Sequence, residues 1–193
     1  MYYSKIEYLV LDILSGLNNT LYYHGIHHTK EVINNSIIIA KHEGIDETDL
    51  ELLKIGALLH DIGFLKKYIG HEEESCKMAR KILSGFEMDQ NQIDQICGMI
   101  MATKIPQYPK NLLEKIIADA DLMYLGTNKF IEIGNTLFEE LKANKKVSSE
   151  LEWNKIQASF LNSHNYHTVY CKEKFTLPKN KNLDLINDWL RKN

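Results

Sequence analysis

Residues that break helices are scarce in this sequence. Its 193 residues include only three prolines and ten glycines, which leaves little material for the tight turns that these two residues promote. The composition therefore favours long helices over many short elements. The length suits one domain with a substantial core and is too short for two domains of ordinary size.

Cysteine is also scarce. Cys76, Cys97 and Cys171 are odd in number, widely separated and in no Cys-x-x-Cys spacing. This pattern argues against a disulfide framework and indicates free thiols in a reducing compartment, so we expect a cytoplasmic protein.

A long uncharged hydrophobic run and a strong excess of charge are both missing. Lys5, Glu7 and Asp12 interrupt the apolar stretch that ends at Leu17, so neither a signal-peptide core nor a membrane span is predicted. A net charge of −3 and a pI near 6.2 give no broad electrostatic reason to bind nucleic acid or an anionic membrane.

Apolar residues recur at helical spacing along most of the chain and predict an all-α fold. The one stretch with strand character is 166–178, and Ser148 is predicted to cap the helix that follows the charged loop at Lys145. The predicted helices cover residues 3–17, about 21–44, 46–63, 72–84, about 89–102, 111–125, about 129–143, a segment opened by Ser148 and Ser149, and 183–190.

A histidine and an aspartate stand together at the end of the most apolar of these helices. His60 and Asp61 follow the run Leu58-Leu59, and both are costly to bury unless they are paired or bound to a metal. The helix is apolar nearly all round, so we expect it to be central. The pair therefore needs partners from elsewhere in the chain.

Candidate partners lie on helices to either side. His24 and His28 are four residues apart on one predicted helix and would face the same way, with His27 the competitor of His28. Downstream, Asp119 and Asp121 interrupt an apolar helical surface. Either carboxylate can complete the set, and the other is then expected to support the site or to face solvent.

Read in order, His28, His60-Asp61 and Asp121 resemble the HD superfamily of metal-dependent phosphohydrolases. The likeness rests on a His-x-x-x-Val pattern at His28, on Leu-Leu-His-Asp-Ile-Gly around His60, and on Ala120-Asp121-Leu122, which is similar to the family's final Ala-Asp-x-Leu element. It implies a helical HD bundle that spans residues 1–193 as a single domain, with a core at about 20–126 and a C-terminal helical extension at about 127–193.

The resemblance also implies a chemistry. His28, His60, Asp61 and Asp121 would hold a divalent ion (Mn, Fe, Mg, Co, Ni or Zn), and Asp61 would also orient or deprotonate the attacking water. The enzyme would be a phosphomonoesterase or phosphodiesterase that acts on a small phosphorylated substrate such as a nucleotide. Neither a membrane nor a nucleic-acid partner is expected, and a homo-oligomer is compatible with the sequence.

Two further histidines would decide what such a site does. The stretch around Tyr23-His24 is similar to cyclic-nucleotide phosphodiesterases, which implies that His24 is a general acid for the leaving oxygen. His71 resembles an additional histidine near the metal in HD proteins and would bind a second ion or a substrate phosphate. Where some relatives have a lysine beside the substrate this chain has Phe64, and the candidates to replace that lysine are Lys66, Lys67 and Lys104.

Two alternatives keep the fold and change the function. Some relatives use paired irons and oxygen, and others are non-catalytic ligand-binding modules. In the tail, Trp153, Gln157 and Phe160 share one side of a helix and are expected to pack against the HD core, while the pair His164 and His167 lacks other ligands for a metal.

Overall fold

The computed structural model describes residues 3–193 and confirms the predicted all-α class. Within that range it contains nine α-helices, two short 3-10 helices and no strand. One 3-10 helix, Ile62–Leu65, follows α3, and the other, Met123–Gly126, follows α6. The α-helices are α1 Tyr3–Leu14, α2 Ile26–Glu43, α3 Glu47–Leu59, α4 His71–Leu83, α5 Gln90–Ala102, α6 Leu112–Leu122, α7 Phe130–Ala143, α8 Glu150–Ser163 and α9 Val169–Lys192.

Helix α3 is the central element, as its uninterrupted apolar character predicts. Leu53, Leu58 and Leu59 have no exposed surface, and the helix packs against α1, α2, α5 and α6. Its C-terminal end therefore points His60 and Asp61 into the interior, where α2 and α6 also pass. Residues from α7, α8 and α9 form a second apolar cluster with Tyr23 and the segment after α6.

Side-chain caps fix where several helices begin. The carboxylates of Asp46 and Asp89 accept hydrogen bonds from the backbone of α3 and α5. The backbone amide of Asp89 in turn donates to the side-chain oxygen of Gln92, which completes a capping box. For α8 the predicted cap is wrong by one residue. Ser149, not Ser148, is the N-cap, because its hydroxyl accepts from the backbone amide of Glu152, while the Glu152 carboxylate accepts from the backbone amide of Ser148.

The predicted start of α2 is also wrong, and the error concerns a site residue. His24 lies before the helix, whose N-cap is Gly25 in an extended conformation. The amides of Tyr23 and His24 donate to the Glu140 carboxylate of α7 instead of joining a helical turn. His24 and His28 are therefore not on one helix, although both reach the same region.

The strand character of residues 166–178 does not survive in the structure. Val169 begins α9, which continues to Lys192 through Pro178 and absorbs the short helix predicted at 183–190. A proline inside a helix costs roughly 3 kcal/mol, but Cys171, Phe175 and Ile186 are buried along one face. Tertiary burial therefore outweighs both the local β propensity and the proline.

One glycine allows α4 to approach the end of α3. A Cβ on Gly63 would lie 2.0 Å from the carbonyl oxygen of His71 and 2.8 Å from the backbone nitrogen of Ser75. The Gly63 amide donates to the Ser75 hydroxyl at 2.8 Å. This close contact sets the first turn of α4, and with it His71, beside Asp61.

None of the helices in residues 3–193 reaches the combination of length and hydropathy that a bilayer span requires.

Candidate metal centre

Three elements bring the predicted metal ligands together. His28 comes from the first turn of α2, His60 from the end of α3 and Asp121 from the last turn of α6. One ligand atom from each lies within 4.8 Å of the other two. Nε2 of His28 is 3.0 Å from Oδ1 of Asp121, and Nε2 of His60 is 3.8 Å from the same oxygen.

Asp61 adds a fourth ligand atom. Its Oδ2 lies 3.1 Å from Nε2 of His60 and 3.6 Å from Nε2 of His28. These three atoms, the Nε2 atoms of His28 and His60 and Oδ2 of Asp61, are buried and have no hydrogen-bond partner. Buried polar atoms are normally satisfied. A set of two imidazole nitrogens and two carboxylates that converge without partners fits a divalent cation.

The orientation of His60 supports this fit. Its Nδ1 donates to the carbonyl oxygen of Ala57 at 2.7 Å, which leaves Nε2 free to face the cluster. Burial alone would lower the pKa of His60, but the carboxylates of Asp61 and Asp121 raise it to about 9. Burial likewise opposes ionisation of Asp61, yet the neighbouring imidazoles hold its pKa well below the usual value. Without an ion, a proton on His60 partly neutralises the negative charge of the Asp61 and Asp121 carboxylates.

The competing residues lie elsewhere. His27 is exposed, so of the two neighbouring histidines only His28 reaches the cluster. Asp119 is completely buried but faces away from the metal ligands. Its carboxylate accepts from the backbone amides of His167 and Thr168 and from the Thr168 hydroxyl. Asp119 therefore joins α6 to the start of α9 and is not exposed to solvent.

His24 reaches the edge of the same centre and is held by a residue that the sequence did not reveal. Its Nδ1 donates to Oε1 of Glu140 at 2.5 Å, while its backbone amide donates to Oε2 at 3.0 Å. Glu140 has no exposed surface. It stands 116 residues away from His24 on α7, in a helix pattern with no motif, so local sequence contained no signal for this pair.

Glu140 is a buried carboxylate with a full set of donors. Tyr23 donates its backbone amide at 2.8 Å and Tyr68 its hydroxyl at 2.8 Å, in addition to the two bonds from His24. Burial by itself would raise the pKa of Glu140, but the hydrogen bonds from His24 and Tyr23 outweigh it and hold the pKa below its usual value. The residue is therefore a fixed negative charge behind His24.

His71 lies on the other side of Asp61. Its Nε2 is 3.4 Å from Oδ1 of Asp61, and its Nδ1 donates to the carbonyl oxygen of Tyr68. The ring of Phe64 stacks on His24 at 4.3 Å and on His71 at 3.9 Å between centroids. Phe64 thus fixes the separation of the two imidazoles.

A cavity of about 300 Å³ opens onto these residues. Asp61, His71 and Asp121 contribute to its lining, and α7 and α8 supply a large part of the remaining wall. Trp153, Gln157 and Phe160 belong to that wall, so their side of α8 closes the cavity and is not simply packed on the core as predicted. Lys66, Lys67 and Lys104 do not belong to the lining. Lys66 and Lys67 are exposed, and Lys104 pairs with Glu73.

Comparison with known proteins agrees with this architecture. The HD domain family matches residues 25–124, a segment that contains all four clustered residues. The chain belongs to the HD domain family. Two solved structures share the fold of this HD protein. One, from an uncultured Thermotogales bacterium and described as a predicted HD superfamily hydrolase, is 20% identical, with a TM-score of 0.65 over 99% of this chain and 92% of its own.

The other is a protein from Lactobacillus plantarum, 14% identical, with a TM-score of 0.68 over the whole of both chains. At such identities the likeness concerns the fold, which in both cases extends beyond the family segment to the C-terminal helices. A search of curated proteins finds no match.

Proposed function

We propose that this HD protein is a metal-dependent phosphohydrolase that cleaves a phosphate ester of a nucleotide or another small phosphorylated metabolite. The observation that carries the proposal is the convergence of three buried, unpartnered ligand atoms from His28, His60 and Asp61 beside the carboxylate of Asp121. Membership of the HD family supports the same chemistry.

His28, His60, Asp61 and Asp121 would hold the divalent ion. Bound there, such an ion supplies an acidified water and neutralises charge that develops on a phosphoryl oxygen. Oδ2 of Asp61 faces the two imidazoles, whereas Oδ1 faces His71. Oδ1 is therefore the oxygen that orients the attacking water and accepts its proton.

His24 would donate the proton to the leaving oxygen. Nδ1 is occupied by Glu140, and the ring contributes to the lining of the cavity, so Nε2 is the nitrogen left to serve the substrate. The buried carboxylate behind the ring fixes its orientation, as a general acid requires. His71, which also stacks on Phe64, would contact the substrate phosphoryl group or bind a second ion.

The surroundings of a second ion beside Oδ1 of Asp61 and His71 fit hydrolysis better than paired-iron chemistry. In residues 3–193, the groups near Oδ1 of Asp61 are His71 and, at 3.7 Å from the His71 ring, the carboxylate of Glu72. The His24 ring lies 6.1 Å from the His71 ring between centroids, but its Nδ1 is already bonded to Glu140. The extra histidines that the iron alternative requires are not found there. Iron content and oxygen uptake measure that alternative directly.

Adjacent histidines provide the test. His28→Ala and Asp121→Ala should each lose tightly bound metal, and phosphate release should fall by about 10³-fold or more, because several kcal/mol of charge stabilisation is removed. His27→Ala, one residue away but exposed, should retain both properties. Metal per chain is measured by elemental analysis. After reconstitution with each of the six candidate ions, hydrolysis is measured as released phosphate or, for a cyclic nucleotide, as the nucleoside monophosphate formed.

The substrates for that test are nucleoside mono-, di- and triphosphates, cyclic nucleotides and sugar phosphates. Phosphate release and metal binding that survive in both His28→Ala and Asp121→Ala would contradict the proposal. A protein that binds metal but hydrolyses none of these esters would favour the ligand-binding alternative.

A further inference from the structure

The cavity beside the metal centre is apolar where it leaves the ligands. Its wall consists largely of aromatic and aliphatic side chains from the end of α6, from α7 and from α8, among them Tyr124, Phe130, Leu137, Trp153 and Phe160. Its volume is about 300 Å³, whereas an apolar cavity of about 150 Å³ holds one benzene molecule. An organic group of one or two rings, or an alkyl chain of similar volume, has room here.

Positive side chains are missing from this lining. Among the described residues that line the cavity there is no lysine and no arginine, and the charged groups other than the histidines are the carboxylates of Asp61, Glu72 and Asp121. Diphosphate and triphosphate groups are normally bound by several Lys or Arg side chains. The phosphoryl group next to the ligands can be neutralised by the ion, but a second or third phosphate would meet an apolar wall.

The polar groups of the wall are also largely engaged. The Tyr68 hydroxyl donates to Glu140, the Thr103 hydroxyl donates to the carbonyl of Ile100, and the Gln157 amide donates to Asn154. A sugar or a base placed here would leave several of its own hydroxyl or amide groups unpaired, which costs binding free energy. A hydrocarbon surface instead gains binding free energy when it is removed from water.

We propose that the substrate is an ester with one phosphoryl group and a hydrophobic organic part, which occupies the cavity between α7 and α8. This inference rests on the proposed phosphohydrolase function and narrows its substrate class from nucleotides and metabolites in general to phosphate esters of apolar alcohols. The ion centre receives the phosphoryl group, and the side chains of Phe130, Trp153 and Phe160 bury the organic part.

Three esters of primary alcohols test the inference, since their leaving groups are chemically alike. Cyclohexylmethyl phosphate should be hydrolysed with a kcat/KM about 10²-fold higher than ribose 5-phosphate, because the cavity removes its ring carbons from water, whereas the hydroxyl groups of ribose lose water there without gaining partners. Adenosine 5′-phosphate should also be the poorer substrate. Equal or higher kcat/KM for ribose 5-phosphate or adenosine 5′-phosphate would overturn the inference while leaving the phosphohydrolase function intact.

Two isoleucines of similar exposure give a matched pair of variants. Ile156 is 43% exposed and lines the cavity, whereas Ile131 is 48% exposed and lies outside it. Ile156→Asn should lower kcat/KM for cyclohexylmethyl phosphate by about 5- to 10-fold and leave methyl phosphate unchanged, because a methyl group does not reach the wall. Ile131→Asn should change neither. Equal effects of Ile156→Asn on both esters would contradict the inference.

Binding provides a second measurement that does not depend on turnover. Trp153 lines the cavity and Trp189 does not, so a Trp189→Phe protein reports on the cavity through the fluorescence of Trp153. Cyclohexylmethylphosphonate should change that fluorescence and bind about 10²-fold more tightly than methylphosphonate. If no ester were hydrolysed and neither phosphonate were bound in the presence of any of the ions, both the phosphohydrolase function and this substrate class would be wrong.

Discussion

Glu140 links a catalytic candidate to a helix far along the chain. Its carboxylate accepts two hydrogen bonds from His24, one from Tyr23 and one from Tyr68, and it has no contact with solvent. A buried anion with four donors is rigid, because moving it would leave an unpaired charge in the interior. His24 therefore holds one orientation and one tautomer.

Glu140→Gln removes the negative charge behind His24 while it keeps the size of the side chain. We expect metal content to stay unchanged and kcat to fall by about 10²-fold on alkyl esters, whose leaving oxygens need a proton, with a smaller loss on aryl esters. His24→Ala should show the same pattern, and the double variant should be little worse than either single one. Measured kcat values against leaving-group pKa check this expectation.

The exposed neighbour Glu139 gives the control, since Glu139→Gln changes the same charge on the same helix. A uniform loss on alkyl and aryl esters in Glu140→Gln would show that this carboxylate stabilises the fold and does not position a proton donor.

At this scale the sequence could predict some residues and not others. His28, His60, Asp61 and Asp121 sit in short local patterns, and their order along the chain is readable without a structure. Glu140 has no such pattern, because the contact with His24 depends on how α7 packs across the chain. The helix assignment of His24 failed for the same reason: its amide is satisfied by α7 and not by the next turn of α2.

Helix α9 shows how one buried carboxylate decides where an element begins. Thr168 caps the helix, because its Oγ1 accepts from the Cys171 amide at 3.2 Å while its hydroxyl donates to Asp119 at 2.6 Å. Burial raises the pKa of Asp119 against the opposing hydrogen bonds from Thr168 and His167. The Thr168 hydroxyl therefore both caps α9 and donates a hydrogen bond to the buried Asp119.

Thr168→Ala should cost about 2 kcal/mol of the free energy of unfolding, since it removes the cap and one donor of Asp119. Ser149→Ala, which removes only the exposed cap of α8, should cost about 1 kcal/mol. Urea unfolding of both variants gives the comparison. Equal losses would mean that the Asp119 contact adds nothing to the cap.

Helix boundaries were predictable where a cap is local. Asp46 and Asp89 stand directly before apolar periodic runs, and both act as N-caps in the structure. Residues 166–178 were misread because β-branched and aromatic residues and Pro178 outweigh the helical pattern locally. The decisive information is the burial of Cys171, Phe175 and Ile186 against other helices, which only the assembled fold provides.

The whole molecule contains an acid-sensitive residue in its C-terminal part. His164 is buried, and neither ring nitrogen has a hydrogen-bond partner. Burial, assisted by the positive charge of Lys179 and by His167, lowers its pKa to about 4. In the unfolded chain the pKa of histidine is about 6.5. Between about pH 4 and pH 6.5, His164 is therefore protonated in the unfolded chain but neutral in the folded protein.

Stability should consequently fall as the pH drops from about 6.5 towards 4, because protons bind the unfolded state more strongly there. Between about pH 7 and pH 5 this residue alone should remove about 2 kcal/mol from the free energy of unfolding. His164→Phe keeps the ring contacts with Phe160 and Tyr166 and should lose that much less over the same interval. Urea unfolding of both proteins at both pH values measures this difference. Identical decreases in the free energy of unfolding for the two proteins would contradict the assignment.

We propose that residues 1–193 act as one HD domain, with the core at about 20–126 and the extension at about 127–193; residues 1 and 2 lie outside the described structure. The sequence indicated the extension as added helices, but not its role. Glu140 accepts a hydrogen bond from His24, and α7 and α8 supply a large part of the cavity wall. The extension thus contributes to the candidate site as well as to the core.

The position of Glu140 outside the segment that the HD family matches has an evolutionary consequence. A gene fusion that moved residues 25–124 into another protein would carry the four clustered residues but leave behind His24, the anion behind it and the part of the cavity wall that α7 and α8 supply. Under the proposed function, mutations after about residue 126 would change the α7 and α8 part of the cavity wall, and with it the ester that fits, while the four proposed ion ligands are inherited unchanged. Selection would then act on these two stretches independently.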